Sequence, residues 1–339
     1  MKKLWLLVLL AVAWSAPRPA QAWLYQGHEL TGAIADALLA GTAAGRRMKL
    51  ILGAYTLNKA ALWADCVRAV RREGQHFEYR HRDEQCAPFE TADERARMED
   101  YARRNWDKCN GGPGGCHSTF HYADIARRHD HYSERFVGAF RTDIVQTLGR
   151  AIRVLQTGQA LRDPVDIRDR KEALLIVAHL VGDMHQPLHV GALYLRRDGS
   201  EMNPDQPPGQ DRQAIERANA TRGGNEISVA GGSLHFVWDE IPAAWGVRAT
   251  PPLLAAARAV AQTRAQIDMQ PRLFASETVR RSCIALDGLS IGARNERGKW
   301  PASFKDPEGY RRMREGMQRE QVVMAGLRLA ELLGDIWGR

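Results

Sequence analysis

Residues 178–191 read AHLVGDMHQPLHVG, placing His179, His185, His189 and Asp183 within eleven positions of an otherwise apolar stretch. Burying that many polar groups is costly unless something pairs with them. His179 and Asp183 are four apart, so on a helix both side chains leave the same face and can meet one ion. Pro187 should stop that helix and turn the chain, so that His189 approaches from another direction. A single pair of this kind is equally explained by a core histidine hydrogen-bonded to a carboxylate. A second pair changes the balance. SLHFVWDEI puts His235 and Asp239 four apart again, on an expected helix among Phe236, Val237 and Trp238. Imidazole nitrogen together with carboxylate oxygen suits borderline cations such as zinc.

These side chains need a scaffold. Apolar residues recur at helical spacing over residues 30–39, 92–106, 134–155, 165–184, 253–267, 277–289 and 315–336, in segments rich in Ala, Leu, Arg and Glu. Alternating strand-like runs are nearly absent, so the expected fold class is all-α. No repeat or long low-complexity linker divides the chain. Asp198-Gly199, Asn203-Pro204, Pro207-Pro208-Gly209 and Gly223-Gly224 punctuate residues 196–224 as the largest expected loop. That loop and residues 71–116 read as excursions from a single mainly helical domain with long loops, over residues 23–339.

The chain opens MKKLWLLVLLAVAWSAPRPAQAW, with Lys2 and Lys3 ahead of an apolar run over 4–14 and a small-residue triplet ending at Ala22. This is the pattern of a signal peptide, 1–22, cut before Trp23. The run is too short for a bilayer, and no later segment reaches the roughly 20 apolar residues a span needs. The expected product is therefore secreted or periplasmic, without a membrane span. Loss of Lys2, Lys3 and Arg18 takes the formal charge from +8 to +5, a mildly basic balance that favours polyanions without naming one. Cysteines 66, 86, 109, 116 and 283 allow at most two disulfides and leave one thiol. The loop from Cys109 to Cys116 is flexible enough to close on itself, to stay reduced, or to offer thiolates to a metal.

His179-x-x-x-Asp183-x-His185-Gln186-Pro187-Leu188-His189, then Gly223-Gly224-Asn225, then Leu234-His235-x-x-Trp238-Asp239, resembles the S1/P1 nuclease family, whose fold is shared with zinc-dependent phospholipase C. Trp23-Leu24-Tyr25-Gln26-Gly27-His28 resembles the family's mature amino terminus, Trp63-Ala64-Asp65 its next ligand motif, and Phe120-His121-Tyr122-Ala123-Asp124 the one after. The resemblance implies three zinc ions. Asp65, His121, His179 and Asp183 would hold one. The α-amine and carbonyl of Trp23, with His28 and the shared Asp183, would hold the second. His189, His235 and Asp239 would hold the third. An amine ligand gives the leader a purpose, since Trp23 offers a free terminus only after cleavage, with a pKa of about 7.7 to 8.0 that a metal can compete against.

The implied reaction is hydrolysis of single-stranded DNA and RNA to 5′-phosphorylated products by a zinc-activated hydroxide attacking phosphorus. Asp65 would orient that hydroxide and is the expected catalytic residue. Tyr122 matches the family's base-stacking aromatic and Asp124 a residue contacting the base edge; core packing and capping are their ordinary alternatives. Asn225 is the third expected substrate contact. No protein partner is expected, and the protein reads as a monomer. His185 receives no metal by resemblance and is expected to pack or support a ligand. His76, His81, His117, His129 and His131 read as surface or loop residues. The 55 residues between Asp65 and His121 are a long insertion for the family and contain four of the five cysteines.

Other readings compete. A zinc phospholipase would use the same cage, but resembles His-x-x-x-Glu where this chain has His235-x-x-x-Asp239. A non-catalytic exported zinc-binding protein would need the ligands but not Tyr122 and Asp124. Gly288-Leu289-Ser290-Ile291-Gly292 fits a serine-hydrolase elbow, yet no histidine follows His235. His28-Glu29 begins a zinc-protease motif whose second histidine is missing.

Overall fold

The computed structural model describes residues 23–81, 83–109, 115–206, 209 and 211–338, so the expected leader, residues 1–22, lies outside the described residues. The first part of the chain folds as helices α1 (Tyr25–Leu39), α2 (Ala43–Leu52), α3 (Leu57–Ala60) and α4 (Trp63–Val67), then the hairpin β1 (Val70–Glu73) and β2 (His76–Tyr79), then α5 (Ala92–Asn105). Strand β3 (Ile125–Ala126), α6 (Ile144–Thr157), α7 (Arg170–Met184) and β4 (Gly191–Ala192) form the middle. There follow α8 (Arg212–Asn219), β5 (Ile227–Val229), β6 (Gly232–Ser233), α9 (Leu234–Asp239), α10 (Pro251–Ala259), α11 (Gln270–Ala285), β7 (Leu289–Ile291), β8 (Trp300–Phe304) and the long α12 (Pro307–Trp337). The fold is mainly helical, as expected.

Helix α7 is the axis of the site. Asp169 caps it, its carboxylate accepting the Glu172 N–H at 2.8 Å. From Glu172 to Met184 every residue is buried, which is why the segment is apolar all round rather than on one stripe. It packs against α6 and α12, and its last two turns carry His179 and Asp183. The main core fills the space around it with Leu62, Trp63, Phe89, Tyr101, Leu148, Ile152, Leu175 and Leu329. A second core joins Leu188, Trp238 and Trp300 over a small sheet of order β6-β5-β8-β7, and a third packs Trp23 with Leu30, Ile34, Leu253 and Val322. Trp23, Trp63, Trp238 and Trp300 are among the largest fully buried side chains, and three of their indole N–H groups find acceptors in Gly182, Tyr310 and Arg196.

Three expectations change. The four-stranded sheet was not visible in the sequence, because strands of two to five residues are too short to show alternation. Residues 196–224 contain α8, whose cap Asp211 accepts from Gln213 and Ala214. Residues 71–116 are not an excursion: Phe89, Met98, Tyr101 and Ala102 enter the main core, and Arg104 bonds Asp100, Asp166 and Glu172, tying α5 to the start of α7. Disulfides Cys66–Cys86 and Cys109–Cys116 pin this region, leaving Cys283 as the free thiol. No described helix is long and apolar enough to cross a membrane.

Candidate metal centre

Five segments converge at the end of α7. Helix α1 brings His28, α4 brings Asp65, α7 brings His179 and Asp183, the 3-10 turn Pro187–His189 brings His189, and α9 brings His235 and Asp239. The eighth donor, His121, lies on a loop that short parallel pairing fixes in place. Strand β3 pairs β4, Ala123 N–H donates to the His189 carbonyl at 2.8 Å, and Ile125 N–H to that of Val190 at 2.9 Å. The helix stop at Pro187 thus turns His189 back toward His121.

Donor atoms gather in three overlapping groups: His28, Asp65 and His179; His121, His179 and Asp183; His189, His235 and Asp239. All of these side chains are buried. Asp183 stands between groups, with Oδ2 3.0 Å from both His121 Nδ1 and His179 Nε2, and Oδ1 3.2 Å from His28 Nε2. Tetrahedral zinc, with bonds of about 2.0 to 2.1 Å, spaces neighbouring donors roughly 3.3 Å apart. The observed contacts of 2.9 to 3.5 Å bracket that spacing. The cradle leaves no slack, since a Cβ on Gly182 would stand 2.9 Å from His28 Nδ1.

His189 and His235 decide what the cluster is for. Each donates its Nδ1 proton to a main-chain carbonyl, His189 to His121 and His235 to Gly223, both at 2.8 Å. Burial lowers both imidazoles below their ordinary range, His235 to about 3, so each ring is neutral and carries only that one proton. Their Nε2 atoms nevertheless face each other at 3.1 Å. Two bare lone pairs at that distance repel, and a shared cation turns the repulsion into coordination. His179 is oriented in the same manner by the Ala61 carbonyl at 2.6 Å.

The carboxylates carry the same signature. Burial acts to raise Asp183, but the charge of His179 and hydrogen bonds from His121 and His179 hold it well below the usual range. Burial raises Asp239 well above that range, with Asp183 and Asp65 adding to the shift. Burial opposes a charge on His179, yet Asp183 and Asp65 pull its pKa up to about 9, so a proton fills part of the place a cation would take. Asp239 Oδ2 and both nitrogens of His28 make no hydrogen bond. The donor set therefore fits divalent cations.

Trp23 is fully buried beside the cluster; its indole N–H donates to the Gly182 carbonyl at 2.8 Å and its main-chain N–H to Asp239. Its φ of 34° is one of two positive values among the described non-glycine residues. A family model for S1/P1 nucleases matches residues 23–338. The chain belongs to the S1/P1 nuclease family. No curated protein matches its sequence. Membership makes the chain a hydrolase of the nuclease type, and the match begins at Trp23.

Other expected residues of this S1/P1 chain fall around the cluster. Tyr122, next to His121, is half-buried, with the Phe140 ring edge-on at 6.0 Å. Asp124 is buried, accepts the Gly223 N–H, and is pushed up to about 7 by burial and by Glu216; its Oδ1 makes no hydrogen bond. Asn225 donates Nδ2 to the Arg222 carbonyl at 2.9 Å, closing its own turn. That turn requires glycine: Gly223 has φ 56°, and a Cβ there would stand 2.0 Å from the Leu188 carbonyl oxygen. His185 uses Nδ1 on the Val181 carbonyl and Nε2 on Arg328, so neither nitrogen faces the cluster.

His117, expected at the surface, is buried beside Trp106 in the 3-10 turn Cys116–Thr119, next to the Cys109–Cys116 bridge; burial depresses its pKa to about 3. His129 is half-buried, stacked on Phe136 and bonded to Asp205, whereas His76, His81 and His131 are exposed. Two supporting residues escaped the sequence reading. Arg68 donates to Asp65 Oδ1 at 3.2 Å, and its charge helps hold Asp65 near 2 against burial. Gln186 donates to Asp239 Oδ1 at 2.8 Å and accepts the Leu188 N–H at 2.5 Å. Its place inside the histidine motif was the available signal.

Proposed function

We propose that this protein is an exported, zinc-dependent phosphodiesterase that cuts single-stranded DNA and RNA and leaves 5′-phosphorylated products. The observation that carries the reading is the pair of neutral imidazoles, His189 and His235, whose bare nitrogens meet at 3.1 Å inside a cage of buried carboxylates. Three zinc ions are the proposed complement. Asp65, His121, His179 and Asp183 would hold one, the Trp23 terminus with His28 and Asp183 a second, and His189, His235 and Asp239 the third. Bound there, zinc lowers the pKa of water and draws charge from phosphoryl oxygens.

The chain's own residues supply the rest. Carbonyls of Ala61, His121 and Gly223 fix the imidazole tautomers, so the cluster meets its ions without reorganising. Arg68 donates to one oxygen of the Asp65 carboxylate, and Asp65 would orient the attacking water as the catalytic group. Tyr122 would stack a base, an interaction worth about 1 to 3 kcal/mol that a base in a duplex cannot offer. Asp124 would contact the base edge, and Asn225 would shape the turn facing the phosphate. The two disulfides support export, and leader cleavage would release the Trp23 amine.

The test is incubation of the mature protein with single- and double-stranded DNA and RNA, with and without a chelator, while counting zinc by elemental analysis. Chelator-sensitive cleavage of single strands with three zinc ions per chain is expected. Activity that survives complete metal removal overturns the proposal.

A further inference from the structure

A cavity of about 430 Å³ is bounded by Phe140, whose ring meets that of Tyr122 edge-on at 6.0 Å, and by Arg141, Gln146, Arg150, Pro164 and Arg212. Its cations are poorly compensated. Among the described residues Arg141 pairs with Asp163 alone, at 3.5 Å across exposed surface, where Lys108 also competes for the carboxylate. Arg150 donates to the Asp163 carbonyl rather than to a carboxylate, and its buried Nε makes no hydrogen bond. Arg212 donates to the Phe136 carbonyl. The one acid on the wall, Glu134, is already bonded to Arg272 and Gln146. Arg104, by contrast, is matched by Asp100, Asp166 and Glu172. An arginine left with a spare donor beside two like charges, around an open hollow, is a site for an anion.

Helix α6 ties this hollow to the metal cluster. Its first N–H, from Ile144, donates to the Tyr122 carbonyl at 3.2 Å, and Arg150 lies six residues along the same helix, roughly 9 Å by helical rise. A strand whose base sat at Tyr122 would bring its neighbouring backbone within reach of these arginines. We propose that the cavity holds a backbone phosphodiester of the strand being cut, one or two nucleotides from the scissile bond. The inference rests on the nucleic-acid reading above and adds to it a preference for length: a dinucleotide ends before the cavity, whereas a ten-nucleotide strand fills it.

The double variant Arg141→Glu/Arg212→Glu changes two exposed side chains and tests this in the zinc-loaded enzyme. We expect kcat/KM on a dinucleotide to stay within twofold of wild type, and kcat/KM on a single-stranded 10-mer to fall at least tenfold. Losing the one phosphate these arginines hold should make the slope of log affinity against log salt shallower by roughly 0.7 for a phosphorothioate-linked 10-mer. Arg141→Ala alone, whose side chain makes no main-chain hydrogen bond, should lose part of the same advantage with an unchanged melting temperature. Equal losses on both substrates, or none on either, overturn the proposal. Inorganic phosphate distinguishes a free anion from the strand. At fixed ionic strength about 1 mM phosphate should leave the tenfold difference intact, and its disappearance would reassign the cavity to free phosphate. If the wild type cuts no nucleic acid at all, the functional reading fails on its own; the cavity then stands or falls by whether the double variant loses affinity for the phosphorothioate 10-mer.

Discussion

Gln186 is buried, touches no expected substrate, and supports a single carboxylate, so replacing it isolates the value of an outer hydrogen bond. Gln186→Met keeps length and volume but removes the 2.8 Å donor to Asp239 Oδ1 and the 2.5 Å acceptor for the Leu188 N–H. Both partners are fully buried and neither can turn to water. A charge-assisted bond contributes about 1.5 to 3 kcal/mol, and an orphaned buried N–H costs about 1 to 3 kcal/mol. A destabilisation of about 3 kcal/mol follows, which in a chain of this size lowers Tm by roughly 6 °C. The carboxylate also loses its fixed orientation, and outer partners of this kind change metal affinity by about 10- to 100-fold. The assay is zinc content after dialysis against a graded metal buffer, with a thermal melt on the same samples. Gln186→Glu separates the two effects, because it can still accept from Leu188 N–H but sets a second carboxyl against Asp239. Wild-type zinc affinity together with an unshifted Tm in Gln186→Met would refute the argument that Gln186 orients Asp239.

A mature protein carrying one extra residue ahead of Trp23 should lose at least one zinc per chain and its activity, since a peptide nitrogen cannot replace the amine; full zinc content by elemental analysis would contradict this. Replacing Cys66 and Cys86 by serine should destabilise the fold by about 3 kcal/mol in denaturant melts, given a closed loop of roughly 20 residues, and should weaken zinc binding because Cys66 adjoins Asp65. Asp124, pushed up to about 7 from 3.8, is a neutral acid below that pH and a carboxylate above it. Below pH 7 it can donate to a ring acceptor on a base and above pH 7 it can only accept, so preference between adenine and guanine dinucleotides should cross over near pH 7. Asp124→Asn, fixed as a donor and acceptor, should abolish that crossover in kcat/KM ratios measured from pH 5 to pH 9.

Much of this site is legible in the chain because its information is local. His179 and Asp183, like His235 and Asp239, are one helical turn apart, and a period of 3.6 residues is enough to put each pair on one face. Pro187 announces the turn that redirects His189. The all-round apolar character of α7 announces its place in the core. Together with the spacing of the Trp23, Asp65 and His121 motifs, these features identified the family and its helical class. Tertiary structure alone decided the rest. That His189 and His235, 46 positions apart, present bare nitrogens to each other depends on carbonyls supplied by His121 and Gly223, and no local rule encodes those partners. The inward fold of His117, the membership of residues 71–116 in the main core, and the short strands around β8 likewise rest on contacts between segments far apart in sequence. Periodicity fixes which residues share a face; only the packed chain fixes what that face meets.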